Sequence, residues 1–265
     1  MELFFEGVYV VLGLVHQWIS SWIPFRPQPA PREVRWDVVA MLFGVACGAL
    51  YAWSIEEPLS GWLISQAFVQ QWYAWVGDWP WVLVVAMNLW VSDFLVYWAH
   101  RWMHSKFLWH VHAWHHSSKH VWWLSGLRAS PVHVVLVILP HTVGYLLFPL
   151  GTGGIMLFGV IIFRIVNQHW LHSNIAVPFS RWLEKVFVTP RVHFVHHSAD
   201  IRFTNSNYGF VFTFWDRAFG TFVDPDTVPL DEELGLDYEN SYLRLMFGLP
   251  PPRAVPVSAR VVKVE

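Results

Sequence analysis

Charge is what this sequence has least of. Of its 265 residues only 14% are Asp, Glu, Lys or Arg, while 55% are hydrophobic and 18% aromatic. A soluble domain of this size carries about 25% charged side chains. With so few, the surface cannot all face water, and a polytopic membrane protein is the natural reading. Cysteine is nearly missing as well. The single Cys47 excludes an internal disulfide framework and a cysteine-ligated iron–sulfur cluster, and no C-x-x-C-H is present for covalent haem. A net charge of −2 leaves no basic stripe for nucleic acid. The first apolar run has Glu2 and Glu6 where a signal peptide would have basic residues, so a retained span is expected there. The ending R-V-V-K-V-E carries no lipidation or retention signal.

Long apolar runs are plentiful. A span needs roughly 20 mostly apolar residues, and residues 3–23, 36–53, 79–99, 131–150 and 153–171 qualify. Arg26, Arg32 and Arg35 follow the first run, Arg101, Lys106, Lys119 and Arg128 the third, and Arg181, Lys185 and Arg191 the fifth. Residues 54–78 and the turn at Gly151 and Thr152 have no Lys or Arg. Basic residues mark cytoplasmic loops, so this alternation predicts five spans with the N-terminus outside and a histidine-rich cap in the cytoplasm. The last two spans form a tight hairpin in this reading. Residues 59–76 are expected as an interfacial or re-entrant helix. The chain then divides into N-terminal helices (1–78), a catalytic region (79–223) and a Pro-rich cytoplasmic tail (224–265). The excess of Arg over Lys points to a GC-rich bacterial source, hence to its plasma membrane.

Histidine is what this sequence has in patterns. His100 and His104 stand four apart, and H-x-x-H-H occurs at His112, His115 and His116 and again at His193, His196 and His197. Helical positions i, i+3 and i+4 share a face, so each box can aim its imidazoles at one point. Imidazole suits iron, zinc and copper and suits magnesium and calcium poorly. Eight imidazoles exceed the roughly four of one tetrahedral zinc and are enough for two metals. His172 closes the fifth run on one face with Arg164 and Gln168 and is expected as a ninth ligand; His169, turned off that face, is the second choice. Asp93 and Tyr97 share the face of His100, where a carboxylate can orient a ligating imidazole, and Arg164 is expected near Asp93. His16, His120 and His141 read as satisfied interfacial side chains. No H-E-x-x-H is present for a zinc protease. A membrane metal-binding or metal-transport protein without oxidase activity is the alternative reading.

Several segments resemble one family. D-F-L-V-Y-W-A-H-R-W-M-H (93–104), H-A-W-H-H-S (112–117) and T-P-R-V-H-F-V-H-H-S (189–198), with N-S-N-Y-G (205–209) and W-D-R-A-F-G-T-F (215–222), are similar to the fatty acid hydroxylase/sterol desaturase superfamily. The resemblance covers about residues 93–222. It implies an all-α integral membrane oxidoreductase with two iron ions, using O2 to hydroxylate or desaturate a lipid (fatty acyl, ether lipid or sterol-like). The implied iron ligands are His100, His104, His112, His115, His116, His193, His196 and His197, with His172 where the family often has a further one. Zinc enters such imidazole sites readily in purified samples. A fused cytochrome b5 domain is missing, so the electrons are expected from a separate cytochrome b5-, ferredoxin- or flavodoxin-type donor. Q-H-W-L-H-S-N and L-R-A-S-P resemble the alkylglycerol-monooxygenase-like branch, although Ser130 stands where many relatives have His before the proline.

Overall fold

The computed structural model describes residues 2–29, 31–151 and 154–252, with side chains from Gly7 onward. Among these residues every regular element is a helix, and strand-like pairing is confined to the isolated bridges Phe187–Phe212 and Ser198–Leu234. The long elements are α1 (Glu2–Trp22), α2 (Val34–Tyr51), α3 (Glu57–Ile64), α4 (Ala67–Gly77) and α5 (Trp81–Met103). A four-residue helix, α6 (Trp109–His112), leads to α7 (Pro131–Leu147) and α8 (Ile155–Leu171). The cap follows as α9 (Ser180–Leu183), α10 (Pro190–His196), α11 (Ile201–Thr204), α12 (Phe214–Ala218) and α13 (Tyr242–Met246).

The second apolar run does not stop where the sequence suggested. A π turn at Ala52–Glu56 joins α2 to α3, so Val34–Ile64 is one continuous helix. Pro58 explains the form of the junction. Its ring cannot donate to the carbonyl four residues earlier and pushes against it, and a π turn widens the helix locally at such a point. The expected single helix over 59–76 is therefore two pieces, parted where Gln66 turns extended (φ −79°, ψ 131°) before α4.

Among the described residues two helices are long and apolar enough to cross a membrane, Val34–Ile64 and Trp81–Met103; α7 and α8 are shorter apolar helices. Leu42, Leu50, Trp53, Trp62, Trp81 and Val82 are each more than half exposed. An apolar outer surface of this extent calls for a non-aqueous neighbour, and the protein is a membrane protein.

Helix α5 is the axis of the molecule. Its main neighbour is α7, which comes close because Gly144 faces Ser92: a Cβ on Gly144 would collide with the Ser92 hydroxyl. Helix α7 also packs on α2, while α8 packs on α1 and α10. The last two apolar runs also meet each other, with Arg164 over the Tyr145 ring and Val160 buried with Phe148 and Leu150, and Thr152 of the expected turn lies outside the described residues. At one end of α5, Val76, Val84, Phe148, Leu150 and Val160 form an apolar cluster. At the other end the short helices gather over the histidines.

The stretch after Asp224 was expected as a Pro-rich tail, and its part from 253 onward lies outside the described residues. The described part packs on the cap. Leu245 is buried with Ala40, Ala113 and Trp114, and Leu234 with Val121 and Phe194. Burying these leucines offsets the ordering of a proline-interrupted chain.

Candidate metal centre

Nine histidines fall into two groups. The first is His100, His104, His112, His116 and His196; the second is His115, His172, His193 and His197; within each, the ligand atoms lie within 4.8 Å of one another. These are the nine that the sequence singled out. His104 is half-buried and the other eight are buried. The groups adjoin, since the His116 and His197 rings are stacked with centroids 4.6 Å apart.

The Nε2 atoms point inward. His100 and His116 bring theirs to 3.1 and 3.2 Å from that of His112. In the second group the Nε2 separations are 3.3 Å for His172–His115, 3.1 Å for His193–His172 and 3.1 Å for His197–His193. His104 and His196 have buried Nε2 atoms with no partner. A neutral imidazole has one N–H, so these rings cannot all satisfy one another. Metal–nitrogen bonds of about 2.1 Å separate neighbouring ligands by roughly 3.0–3.4 Å, the spacing found here. The residues fit a metal ion in each group.

Electrostatics agree with that fit. Burial, followed by the neighbouring imidazoles, holds His112, His115, His116, His193, His196 and His197 well below the ordinary histidine value. They are neutral at physiological pH, and neutral imidazole is the form that ligates a metal.

Local sequence explains how the rings are placed. His100 rides the buried face of α5 with Asp93 and Tyr97, and His104 caps the same helix. Thr189 and Ser130 each precede a proline and accept from the backbone N–H three residues on, starting α10 and α7; Ser-Pro and Thr-Pro pairs are favoured helix starts. Helix α10 then presents His193 and His196, with His197 at its C-cap. Gly126 lies against the His172 ring, where a Cβ would collide.

The segment 204–216 holds the first group from outside. His100 donates from Nδ1 to the Tyr208 carbonyl (2.9 Å) and His196 from Nδ1 to the Ser206 carbonyl (2.8 Å). The Asn205 side-chain oxygen lies 3.2 Å from His104 Nδ1. Two buried carboxylates pin this segment. Asp93 accepts from the Val211 and Phe212 amides and the Trp215 indole. Asp216 accepts from the Tyr208 and Gly209 amides and the Thr221 hydroxyl. Asn207, at φ 52°, donates to the Val192 and Val223 carbonyls and accepts from the Val223 amide, tying the loop to α10.

Some expected placements differ. Asp93 is bonded to the 211–215 backbone and Trp215, so its influence on His100 passes through the loop. Tyr97 turns away from the histidines to Thr221, Arg101 and Phe219. Arg164 is held by Asn88 and by Ser92, the residue just before Asp93, while the Asp93 carboxylate bonds Val211, Phe212 and Trp215. Gln168 does reach the centre, bonding the Gly126 carbonyl and lying 3.3 Å from His172 Nδ1. His169 faces α1 and bonds the Tyr9 carbonyl. His16 and His120 bond backbone carbonyls as expected, whereas His141 Nδ1 is buried without a partner.

One residue escaped the sequence reading. His133 sits with Nδ1 3.3 Å from His112 Nδ1 and its ring against His112 and His115. It belongs to no box. The available signal was its place in the first turn of a helix begun by Ser130-Pro131.

Comparison with known proteins gives a consistent picture. The fatty acid hydroxylase family model matches residues 84–221. The ornithine lipid hydroxylase OlsE of Rhizobium tropici is 29% identical over 164 residues, 61% of this chain and 48% of that protein. Alkylglycerol monooxygenase of Xenopus tropicalis is 32% identical over 82% of this chain and 46% of its own. Lathosterol oxidase of Rattus norvegicus is 28% identical over 66% and 58%. The chain thus spans about half the length of these curated relatives. No solved structure matches.

Proposed function

The chain belongs to the fatty acid hydroxylase family, and from that premise we propose that it is a membrane oxidoreductase that hydroxylates or desaturates a C–H bond of a lipid. The observation that carries this reading is the convergence of nine histidine ring nitrogens into two adjoining groups at one end of an apolar helical bundle. His100, His104, His112, His116 and His196 would hold one iron, and His115, His172, His193 and His197 the other. Two ferrous ions held by neutral nitrogen ligands would supply activation of O2 and oxidation of an unactivated C–H bond, with electrons from a separate donor protein.

The chain's own residues account for the rest. Burial of the imidazoles keeps water away from the ligand atoms and keeps them unprotonated. Asp93, Asp216 and Asn207 hold the loop whose carbonyls fix the tautomers of His100 and His196, leaving Nε2 free to ligate. The apolar faces of α5, α7 and α8 can receive a long lipid body and set one carbon against the centre. The relatives named above bear names for an ornithine lipid, an alkylglycerol and a sterol, all amphiphiles with a long apolar part, and this is the proposed substrate class. Hydroxylation is favoured over desaturation by the short gaps within and between the first two boxes, which resemble the hydroxylase side of the family. The site faces the cytoplasm of a bacterial plasma membrane in this reading, as the charge alternation suggests.

The test is comparative lipidomics of a deletion strain and its complemented parent, followed by turnover with purified protein. A lipid that gains one oxygen atom or loses two hydrogens only in the complemented strain, in a reaction needing O2, iron and a reductant, is the expected outcome. Metal uptake into proteoliposomes with no lipid oxidised would instead support a transporter.

A further inference from the structure

Arg164 is a cation in an apolar helix with no anion beside it. Its Nη2 donates to the Asn88 side-chain oxygen and the Ser92 hydroxyl, both at 3.0 Å and both neutral. Its Cζ lies 4.6 Å from the centre of the Tyr145 ring. Among the described residues no carboxylate pairs with it; Glu56, the acid of the α2–α3 junction, accepts from Thr142 instead. The fully buried Arg128 is treated differently, since it is paired with both Asp37 and Glu33. A cation in apolar surroundings is costly unless paired, and inside a membrane protein it usually marks a functional contact.

A second polar group nearby also lacks a partner. His141 Nδ1 is buried and unbonded, and His141 and Tyr145 share a face of α7 as residues i and i+4. Arg164, Gln168 and His172 in turn share a face of α8, and Gln168 reaches His172. Eight residues of helix separate Arg164 from His172, roughly 12 Å at 1.5 Å per residue.

We propose that Arg164, with His141 and Tyr145 beside it, receives the anionic oxygen group, carboxylate or phosphate, of an amphiphilic substrate. The proposal rests on the lipid-oxidising function above and narrows its substrate class. The substrate carries an acidic group, and the oxidised carbon lies about two helical turns from it, a medium-length alkyl chain away. Guanidinium suits this task because it stays charged and offers several N–H donors in a plane, of which only Nη2 is engaged.

Binding tests the proposal without turnover, so it can fail while the oxidoreductase reading stands, and the reverse. Iron-loaded full-length protein in detergent is titrated with dibrominated stearate or its methyl ester, and tryptophan quenching is read. The acid is expected to bind about ten- to a hundred-fold more tightly than the ester, as hydrogen bonds to a charged group allow. Arg164→Gln, with unchanged iron content, is expected to erase the difference, and Arg164→Lys to keep part of it. Hexadecyl phosphate is expected to displace the acid where inorganic phosphate at the same concentration does not. Equal affinity for acid and ester in the unaltered protein overturns the proposal whether or not the variants fold. A preference that survives Arg164→Gln overturns it too, and displacement by inorganic phosphate overturns the lipid assignment.

Discussion

The two histidine groups are held in different ways. In the first, four of the five outer nitrogens have neighbours: the Tyr208 and Ser206 carbonyls, the Asn205 amide oxygen, and His133. In the second, only His172 has one, the Gln168 carbonyl at 2.9 Å; the Nδ1 atoms of His115, His193 and His197 find none among the described residues. The first group is therefore oriented by hydrogen bonds from a loop, and the second by ring packing and helix position. Hydrogen bonds fix both tautomer and ring angle, whereas packing fixes only position. The second group should accordingly be the easier to disturb sterically, and the first the easier to disturb through its loop.

The largest effect expected is loss of a ligand from the smaller set. His193→Ala leaves three imidazoles in the second group and should empty it, lowering metal content from two ions per chain to one. His104→Ala leaves four in the first group and should retain the ion with affinity reduced by about 10- to 100-fold; metal analysis after graded chelation distinguishes the two. Gly126→Ala comes next. Its new methyl group displaces the His172 ring, so the second group should lose metal while the first keeps it. Asp216→Asn should do the opposite more gently. It weakens the acceptor for the Tyr208 and Gly209 amides, loosens the carbonyl behind His100, and should cost the first group about 10- to 100-fold in affinity with the second unchanged. An equal loss from both groups would mean that Asp216 supports only the fold.

The smallest and broadest effect is that of pH. The buried histidines have folded values well below the ordinary 6.5, chiefly through burial. Above 6.5 neither folded nor unfolded chain is protonated at these rings, and their contribution to stability is complete. As pH falls below 6.5 the unfolded chain takes up protons that the folded one refuses, so stability is lost. The melting temperature of metal-free protein should fall steadily from about pH 6.5 downward. A flat profile would contradict the buried, neutral state of the rings.

Box spacing, a local property, drew attention to the histidines, but not to their division: each H-x-x-H-H box was expected to aim at one point, and each splits, with His112, His116 and His196 in the first group and His115, His193 and His197 in the second. The all-helical fold was legible from local pattern too. What depended on distant partners was not. Nothing in the spacing around Asp93 tells that its oxygens will be claimed by Val211, Phe212 and Trp215, more than a hundred residues away, or that Arg164 will bond Asn88 and Ser92. His133 was hidden because its approach to His112 follows from the packing of the α7 start, with Ser130 bonding the Val111 carbonyl. The continuation of α2 into α3 turned on Pro58, which the helix absorbs by a π turn. The packing of Leu234 and Leu245 on the cap is tertiary burial that a proline-rich composition conceals.

The central claim is that two metal ions sit side by side, one in each histidine group. Anomalous diffraction at the iron edge from crystals of the iron-loaded chain measures this directly. The account predicts two peaks, one among His100, His104, His112, His116 and His196 and the other among His115, His172, His193 and His197. A single peak, or peaks away from these side chains, would contradict it.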